Sequence, residues 1–310
     1  MGPNFKFNPQ TILAWLLLSC LGVIWGSSFL AIKISLISFQ PIHVSSLRIM
    51  IGSITLLLCL TLLKKKSSIK KNARRYWTYC VGVGILSNAL PFTLLAIAQE
   101  HLSSVFVGLC MATIPLVVLT LTYLLSADEQ VKIQKVFGIL LGVCGTTILI
   151  ASKDGMSQNP FSAHQNVSVC LCVLATFCYA TGAIIIRKAK PVDYLTFSTH
   201  SLLIASSICT PFLFLFGQFP ADFNYNSIIA ILYLGIFTTG IATLILVWLI
   251  KYQGVIFVSL GNFKVPVWSV IFGVFFLKEI LPNNFMISLS LILSGVLICQ
   301  FEQKKSYGSN

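Results

Sequence analysis

The chain has 310 residues, and its 21 Lys and Arg against 8 Asp and Glu give a formal net charge of +13. Hydrophobic residues make up 56% and charged residues only 9% of the sequence, whereas soluble domains carry roughly 25% charged residues. This composition excludes an ordinary soluble domain, and the basic residues stand in short segments between long apolar runs, which argues against a nucleic-acid-binding surface.

Apolar runs of roughly 20 residues, the length at which an α-helix crosses a bilayer, follow one another along the chain. Transmembrane β-barrels show alternating segments of roughly ten residues instead. The first run is too long to be the core of a signal peptide. The pattern therefore predicts an all-α integral membrane protein with ten spans, at 11–33, 42–63, 76–98, 102–125, 135–151, 167–186, 194–216, 227–249, 255–277 and 283–301.

The distribution of Lys and Arg predicts how these spans are oriented. With the N-terminus inside, the run from Lys64 to Arg75 and most other cations face the cytoplasm, whereas Lys33, Lys153 and Lys278 face outward. Cytoplasmic loops of membrane proteins carry such an excess of positive charge. We therefore expect a multi-pass protein of the bacterial inner membrane with both termini in the cytoplasm.

The two halves of the chain resemble each other at an offset of roughly 150 residues. Trp25–Lys33 aligns with Tyr179–Arg187, and Ala112–Pro115 aligns with Phe263–Pro266. Because each half has five spans, the second half enters the membrane in the opposite orientation, as in inverted-repeat transporters. The predicted units are a first repeat at 1–151, a second repeat at 167–301 and a cytoplasmic tail at 302–310.

A series of motifs follows the same order in both halves. It comprises the segment Trp25–Phe29, Arg48 early in the second span, Pro115 and Pro266 ahead of acidic residues, and glycines in the closing spans. The series resembles the duplicated pattern of the EamA-type members of the drug/metabolite transporter superfamily. The resemblance implies ten helices around a central cavity and the transport of a solute, typically export of amino acids, other metabolites or toxic compounds.

Lys264 lies near the middle of the ninth predicted span, where a cation costs roughly 2.5 to 3.5 kcal/mol. Pro266 has no N–H to donate, which leaves the carbonyl of Asn262 free. Transporters of this architecture bind substrate near the middle of the membrane. We therefore expect Lys264 and Asn262 to bind an anionic group, such as a carboxylate. The alternative is that Lys264 points to a helix interface and donates to backbone carbonyls.

Five further residues are predicted to contact the substrate, each with a structural alternative. Arg48 and His200 occupy matching positions in the two halves. Arg48 lines the cavity or pins the second helix to a neighbour, and His200 carries a coupled proton or is a hydrogen-bonded packing residue. Trp25 and Tyr179 also match, and they contact the substrate or pack in the core. Asn88 faces the cavity or bonds another helix.

Four prolines interrupt predicted spans, and each frees a backbone carbonyl that needs another partner. They are Pro91, Pro115, Pro211 and Pro266. Pro115 and Pro266 occupy matching positions and are the predicted hinges of alternating access. Fixed kinks without motion are the alternative.

The sequence holds no catalytic, metal or cofactor signature. No Asp or Glu lies in the middle of a predicted span, which disfavours carboxylate proton relays and sites for polycationic drugs. The ten cysteines form no CxxC pair, so neither a metal site nor a cofactor is expected. GxxxxGK[ST] and HExxH are absent, which favours a secondary transporter over an ATP-driven pump or a membrane-embedded enzyme. A membrane sensor or scaffold is also disfavoured, because such proteins normally carry a soluble output domain and none is predicted between the spans.

We therefore predict a secondary transporter that moves amino acids or other carboxylated or zwitterionic solutes by alternating access, with export favoured. One alternative is import of a host-derived metabolite in an intracellular bacterium, which the ratio of 17 Lys to 4 Arg favours as a mark of an AT-rich genome. Another is multidrug export. The expected partners are a small-molecule substrate and the lipid bilayer, with no nucleic acid. Two fused halves already form a pathway, so a monomer is sufficient.

Overall fold

The structure of the protein is a computed structural model. It describes residues 9–64, 73–125, 133–151, 163–189, 193–216, 219, 222–261, 264–281 and 283–307. Every regular element in these ranges is a helix. The elements are α1 Pro9–Ser35, α2 Pro41–Leu62, α3 Ala73–Val83, π1 Gly84–Ala89, α4 Leu90–His101, α5 Ser104–Met111, α6 Ile114–Leu125, α7 Ile133–Ala151, α8 Ala163–Ala189, α9 Tyr194–Phe216, α10 Tyr225–Tyr233, π2 Leu234–Ile241, α11 Ala242–Gly261, α12 Lys264–Leu277 and α13 Phe285–Tyr307.

Within the described ranges, seven helical stretches are long and apolar enough to cross a membrane. They are Ile12–Ser35, Pro41–Leu62, Arg74–His101, Ser104–Leu121, His164–Ala189, Tyr194–Phe216 and Tyr225–Val255. Three further apolar stretches are shorter, namely Val136–Gly145 within α7, Lys264–Leu277, which is α12, and Phe285–Gly295 within α13. The all-helical membrane architecture is thus confirmed, and the count of ten spans stays a prediction.

Near three of the four prolines that lie inside predicted spans, the helix either widens or begins anew. The helix widens into π1 just before Pro91, and α6 and α12 begin one and two residues before Pro115 and Pro266. Near a helix start the missing N–H of proline has no partner to lose. Pro211, by contrast, lies inside α9, where it has no N–H to donate to the preceding turn.

The two π-helices occupy corresponding places in the two halves of the chain. π1 begins at Gly84 and π2 begins at Leu234, 150 residues later. π-helices are rare and occur mostly as local widenings of α-helices, frequently at functional sites. Both lie in the middle of a long apolar stretch, so a functional site is expected in the interior of the bundle.

Glycines let helices from the first and last thirds of the chain approach closely. A Cβ at Gly22 of α1 would lie 2.6 Å from the Cβ of Lys264, and one at Gly26 would overlap Trp268 of α12. Glycines four residues apart bring two membrane helices together in this way. Helix α1 therefore packs directly along α12.

Other contacts also join the two halves. Helix α2 packs against α9, α4 against α8, and α7 against α13. The Ser46 hydroxyl of α2 donates to the carbonyl of Cys209 in α9 at 3.2 Å. Between α7 and α13, a Cβ added at Gly295 would overlap the backbone of Gly138, so the two helices touch where glycine has no side chain. The interior of the bundle is therefore formed between the two halves.

The carboxylate of Glu279, just after α12, ties that region to the start of α5. One oxygen accepts from the Ser104 N–H at 2.8 Å. The other accepts from the Ser104 hydroxyl at 2.9 Å and from the Val105 N–H at 3.0 Å. The first N–H groups of a helix have no partner within it, and the helix dipole favours a negative charge there. Glu279 therefore caps α5 from a distant part of the chain.

Candidate functional site

A central cavity lies in the interior of the bundle, between α1, α2, α4, α8, π2 and α11. Its volume of about 110 Å³ is several times what one buried water requires, so it has room for a small solute. Most of the wall is Val, Ile, Leu, Met and Phe. The side chains in the wall that carry a polar group are those of Trp25, Ser28, Arg48, Ser87, Asn88, Tyr179, Thr238 and Thr243.

Arg48 brings a positive charge to this apolar wall. Its side chain is only 3% exposed. Nε donates to the Thr239 hydroxyl and Nη2 to the Thr238 hydroxyl, both at 3.0 Å. The guanidinium carbon lies 3.9 Å from the centre of the Phe92 ring, a cation–π contact. The guanidinium is thus held in one orientation without using a carboxylate.

The π2 helix positions the two threonines that hold Arg48. The Thr238 hydroxyl also donates to the carbonyl of Leu234 at 2.9 Å, which fixes its rotamer. A Cβ at Gly52 of α2 would lie 2.8 Å from a methyl carbon of Thr239. Because glycine has no side chain, α2 comes close enough to π2 for Arg48 to reach both hydroxyls.

The structure places three more of the predicted site residues in the same wall. Asn88 belongs to π1, is 2% exposed, and donates from Nδ2 to the carbonyl of Val83 at 3.2 Å. Tyr179 of α8 lies with its ring centre 6.4 Å from that of Phe92. Trp25 of α1 completes the group. Trp25, Arg48, Asn88 and Tyr179, which are far apart in sequence, therefore meet at one cavity.

Lys264, by contrast, does not belong to the described wall of the central cavity. Its ammonium donates to the Ser19 hydroxyl at 2.5 Å, and that hydroxyl donates to the carbonyl of Trp15 at 2.8 Å. Lys264 is the first residue of α12, and helical side chains lean toward the N-terminus of their own helix. It therefore extends along α1, while its neighbour Val265 lines the cavity. Asn262 lies outside the described residues.

His200 is likewise not among the described residues that line the cavity. Its Nδ1 is hydrogen-bonded to the Tyr76 hydroxyl at 2.8 Å, and its ring stacks on Trp77 at 4.9 Å. These contacts match the packing alternative. The predicted hinges Pro115 and Pro266 are buried and adjoin residues that line the cavity, and their motion stays a prediction.

Four polar residues of the wall were not predicted as site residues: Ser28, Ser87, Thr238 and Thr243. Ser28 stood inside the recognised Trp25–Phe29 motif. Thr238 had one signal in the sequence, because it forms a pair with Thr239 between two glycines in the middle of an apolar run. Ser87 and Thr243 had none, since isolated hydroxyls are common in membrane helices.

Comparison with known proteins agrees with this architecture. The profile of the family described as the EamA-like transporter family matches residues 12–151 and again residues 166–300. The uncharacterized transporter YoaV of Bacillus subtilis is 24% identical over 283 residues, covering 89% of this chain and 91% of that protein. Protein PecM of Dickeya dadantii is 24% identical over 223 residues, covering 70% and 72%. One solved crystal structure superposes with a TM-score of 0.69 at 18% identity, covering 95% of this chain and 98% of the other.

Proposed function

The chain belongs to the EamA-like transporter family, within the drug/metabolite transporter superfamily, and from this premise we propose that it is a secondary transporter of small carboxylated or zwitterionic solutes. Amino acids are the leading class. The central cavity would open alternately to the two sides of the bacterial inner membrane. Export is the favoured direction, and import of a host-derived metabolite would use the same cavity.

The position of Arg48 in the cavity wall is the observation that best supports this substrate class. The planar guanidinium has five N–H donors, and it binds carboxylates through two parallel hydrogen bonds. The threonines of π2 take two of these donors. None of the described residues that line the cavity is Asp or Glu. A buried cation without a paired anion is costly, so a solute carboxylate would supply the missing counter-charge.

A zwitterionic solute also presents an ammonium group. Because the described wall contains no carboxylate, neutral oxygens must accept from it, and Ser28, Ser87 and Asn88 supply hydroxyl and amide oxygens in the same wall. The remaining wall is apolar and suits an apolar side chain of the solute. That apolar surface is the one observation that favours multidrug export, but Arg48 would repel cationic drugs.

For the fold, we propose ten spans in two inverted repeats. The seven long stretches and the three shorter apolar helices together make ten. The family profile matches twice along the chain, and the two π-helices begin 150 residues apart, which supports a duplicated unit. The excess of Lys and Arg in alternate connections supports cytoplasmic termini.

The first test is thermal unfolding of the detergent-purified protein with a panel of amino acids, organic acids and cationic drugs. A solute that binds the native state raises the melting temperature. We expect carboxylated solutes to raise it for the wild type and for Lys264→Ala, whose cation lies outside the cavity, and not for Arg48→Lys. Arg48→Lys keeps the charge and loses the planar pair of donors.

The proposal is wrong if only cationic drugs stabilise the wild type, or if Arg48→Lys responds as the wild type does. The melting temperature of Arg48→Lys without solute shows whether that variant is folded. If Arg48→Lys does not fold, Asn88→Ala is a second change in the same wall. Carboxylated solutes should then raise the melting temperature of Asn88→Ala less than that of the wild type.

A further inference from the structure

Away from the central cavity, two histidines from different helices face each other at one end of the bundle. His101 is the last residue of α4, and His164 is the second residue of α8. Their ring centres are 5.4 Å apart and their planes differ by 28°. Both side chains are exposed. Neither contributes to the cavity, so the proposed transport function leaves this pair without a role.

The spacing of the two rings suits a shared metal ion. Imidazole nitrogen binds Zn²⁺ at about 2.0–2.1 Å, in tetrahedral geometry. The centre of each ring then lies about 3 Å from the metal, and two rings on one tetrahedral ion have centres about 5 Å apart. The observed 5.4 Å is close to this value. The separation of the two ring centres therefore matches that of two imidazoles bound to one ion.

The helices that carry the pair are held together independently of any metal. Helix α4 packs against α8, so the two histidines do not depend on flexible loops for their approach. The same helical turns contain the amide oxygens of Gln99 and Gln165, which are buried and have no hydrogen-bond partner. Unpaired buried oxygens are uncommon, and these two lie within two residues of a histidine in sequence.

We propose that His101 and His164 bind one divalent transition-metal ion from solution, and that this ion bridges α4 and α8. Imidazole suits Zn²⁺, Cu²⁺ and Ni²⁺, whereas Mg²⁺ and Ca²⁺ require oxygen ligands. No cluster of three or more potential ligands occurs in the described ranges. Among the described residues, the two imidazoles are therefore the protein ligands of this ion, and water would complete its coordination.

Such an ion would restrain the cavity from outside. Helix α4 contributes Phe92 and Leu95 to the cavity wall, and α8 contributes Tyr179 and Ala183. A metal bridge fixes the ends of these two helices relative to each other and stabilises the native state. Metal binding itself does not require that the protein transports anything, so this proposal stands or falls separately from the proposed function.

The test is isothermal titration of Zn²⁺ into the detergent-purified full chain, with any polyhistidine tag removed. We expect one Zn²⁺ per chain, a rise in melting temperature, and no response to Mg²⁺. His101→Ala and His164→Ala are each expected to weaken binding by at least about tenfold, since even indirect partners of a metal contribute about that much. Asn166→Ala, an exposed change on the same turn of α8, is the matched control and leaves binding unchanged.

Two outcomes would overturn the proposal. One is wild-type protein that takes up no Zn²⁺. The other is equal Zn²⁺ binding by the wild type and both histidine variants, which would place the ion elsewhere, for instance on the exposed thiols of Cys20, Cys144 or Cys170. Melting temperatures without metal verify that each variant is folded before the titrations are compared.

Discussion

Replacing Glu279 by alanine should destabilise the protein strongly although this residue lies outside the cavity. Its half-buried carboxylate receives three hydrogen bonds, from the N–H and hydroxyl of Ser104 and from the N–H of Val105. Ser104 is 1% exposed and Val105 is fully buried. In Glu279→Ala the two N–H groups lose their acceptor in a place that water reaches poorly.

The expected loss in the free energy of unfolding follows from the number and type of these hydrogen bonds. A hydrogen bond to a charged group contributes about 1.5–3 kcal/mol, and a buried donor left unpaired costs about 1–3 kcal/mol. These values are not additive, and the half-exposed carboxylate weakens them, so we expect about 3 kcal/mol for Glu279→Ala. Glu279→Gln keeps one acceptor oxygen but replaces the other by an NH₂ group, which cannot accept from a backbone N–H, so we expect a loss of about 2 kcal/mol.

Thermal unfolding in detergent measures both variants. A loss of about 3 kcal/mol corresponds to a melting temperature lower by about 6 °C, at about 2 °C per kcal/mol for a large domain. The matched control is Ile280→Ala, whose side chain is 79% exposed, and it should melt close to the wild type. If Glu279→Ala also melts within one or two degrees of the wild type, the capping of α5 is not a stabilising contact and the estimate is wrong.

Three further changes test other parts of the structure. Gly254→Ala should cost about 1–3 kcal/mol, because Gly254 has φ 86° and ψ 166°, a region open almost only to glycine, and a denaturation curve measures the loss. Thr239→Val removes the acceptor of Arg48 Nε and should weaken solute binding by about tenfold, a change of about 1.4 kcal/mol. Titration with the solute that stabilises the wild type measures this loss of affinity. Tyr76→Phe removes the hydrogen bond to His200 and should lower stability by about 1 kcal/mol without changing solute affinity, so a change in affinity would show that His200 acts in binding.

The composition of the cavity was predictable only where the sequence offers a rare residue type. An arginine in an apolar span must have a reason, and Arg48 does line the cavity. Lys264 satisfied the same criterion, yet it lies along α1. Each helical residue is rotated by about 100° from the one before, so Lys264 and Val265 face different surroundings. Depth in the membrane follows from position along a span, whereas the direction of a side chain depends on how the helices pack.

The helical architecture followed from the length of the apolar runs, because a membrane helix satisfies all its backbone groups internally. The two π-helices had no such signal. Both contain side chains of the cavity wall, and their partners are known only from the folded protein, as Thr238 of π2 accepts from Arg48 of α2. The cap on α5 was hidden for the same reason, since Glu279 and Ser104 are 175 residues apart in sequence.

The most direct test of the central claim is solute counterflow in proteoliposomes, with a carboxylated solute that stabilises the wild type and, as the matched compound, its methyl ester, which lacks the carboxylate. If the carboxylate is recognised by Arg48, the wild type exchanges the free acid and not the ester, and Arg48→Lys exchanges the acid at least about tenfold more slowly, as expected where one charged hydrogen bond is lost. Equal exchange of acid and ester by the wild type, or equal exchange of the acid by Arg48→Lys, would contradict the assignment of Arg48 as the carboxylate-binding residue.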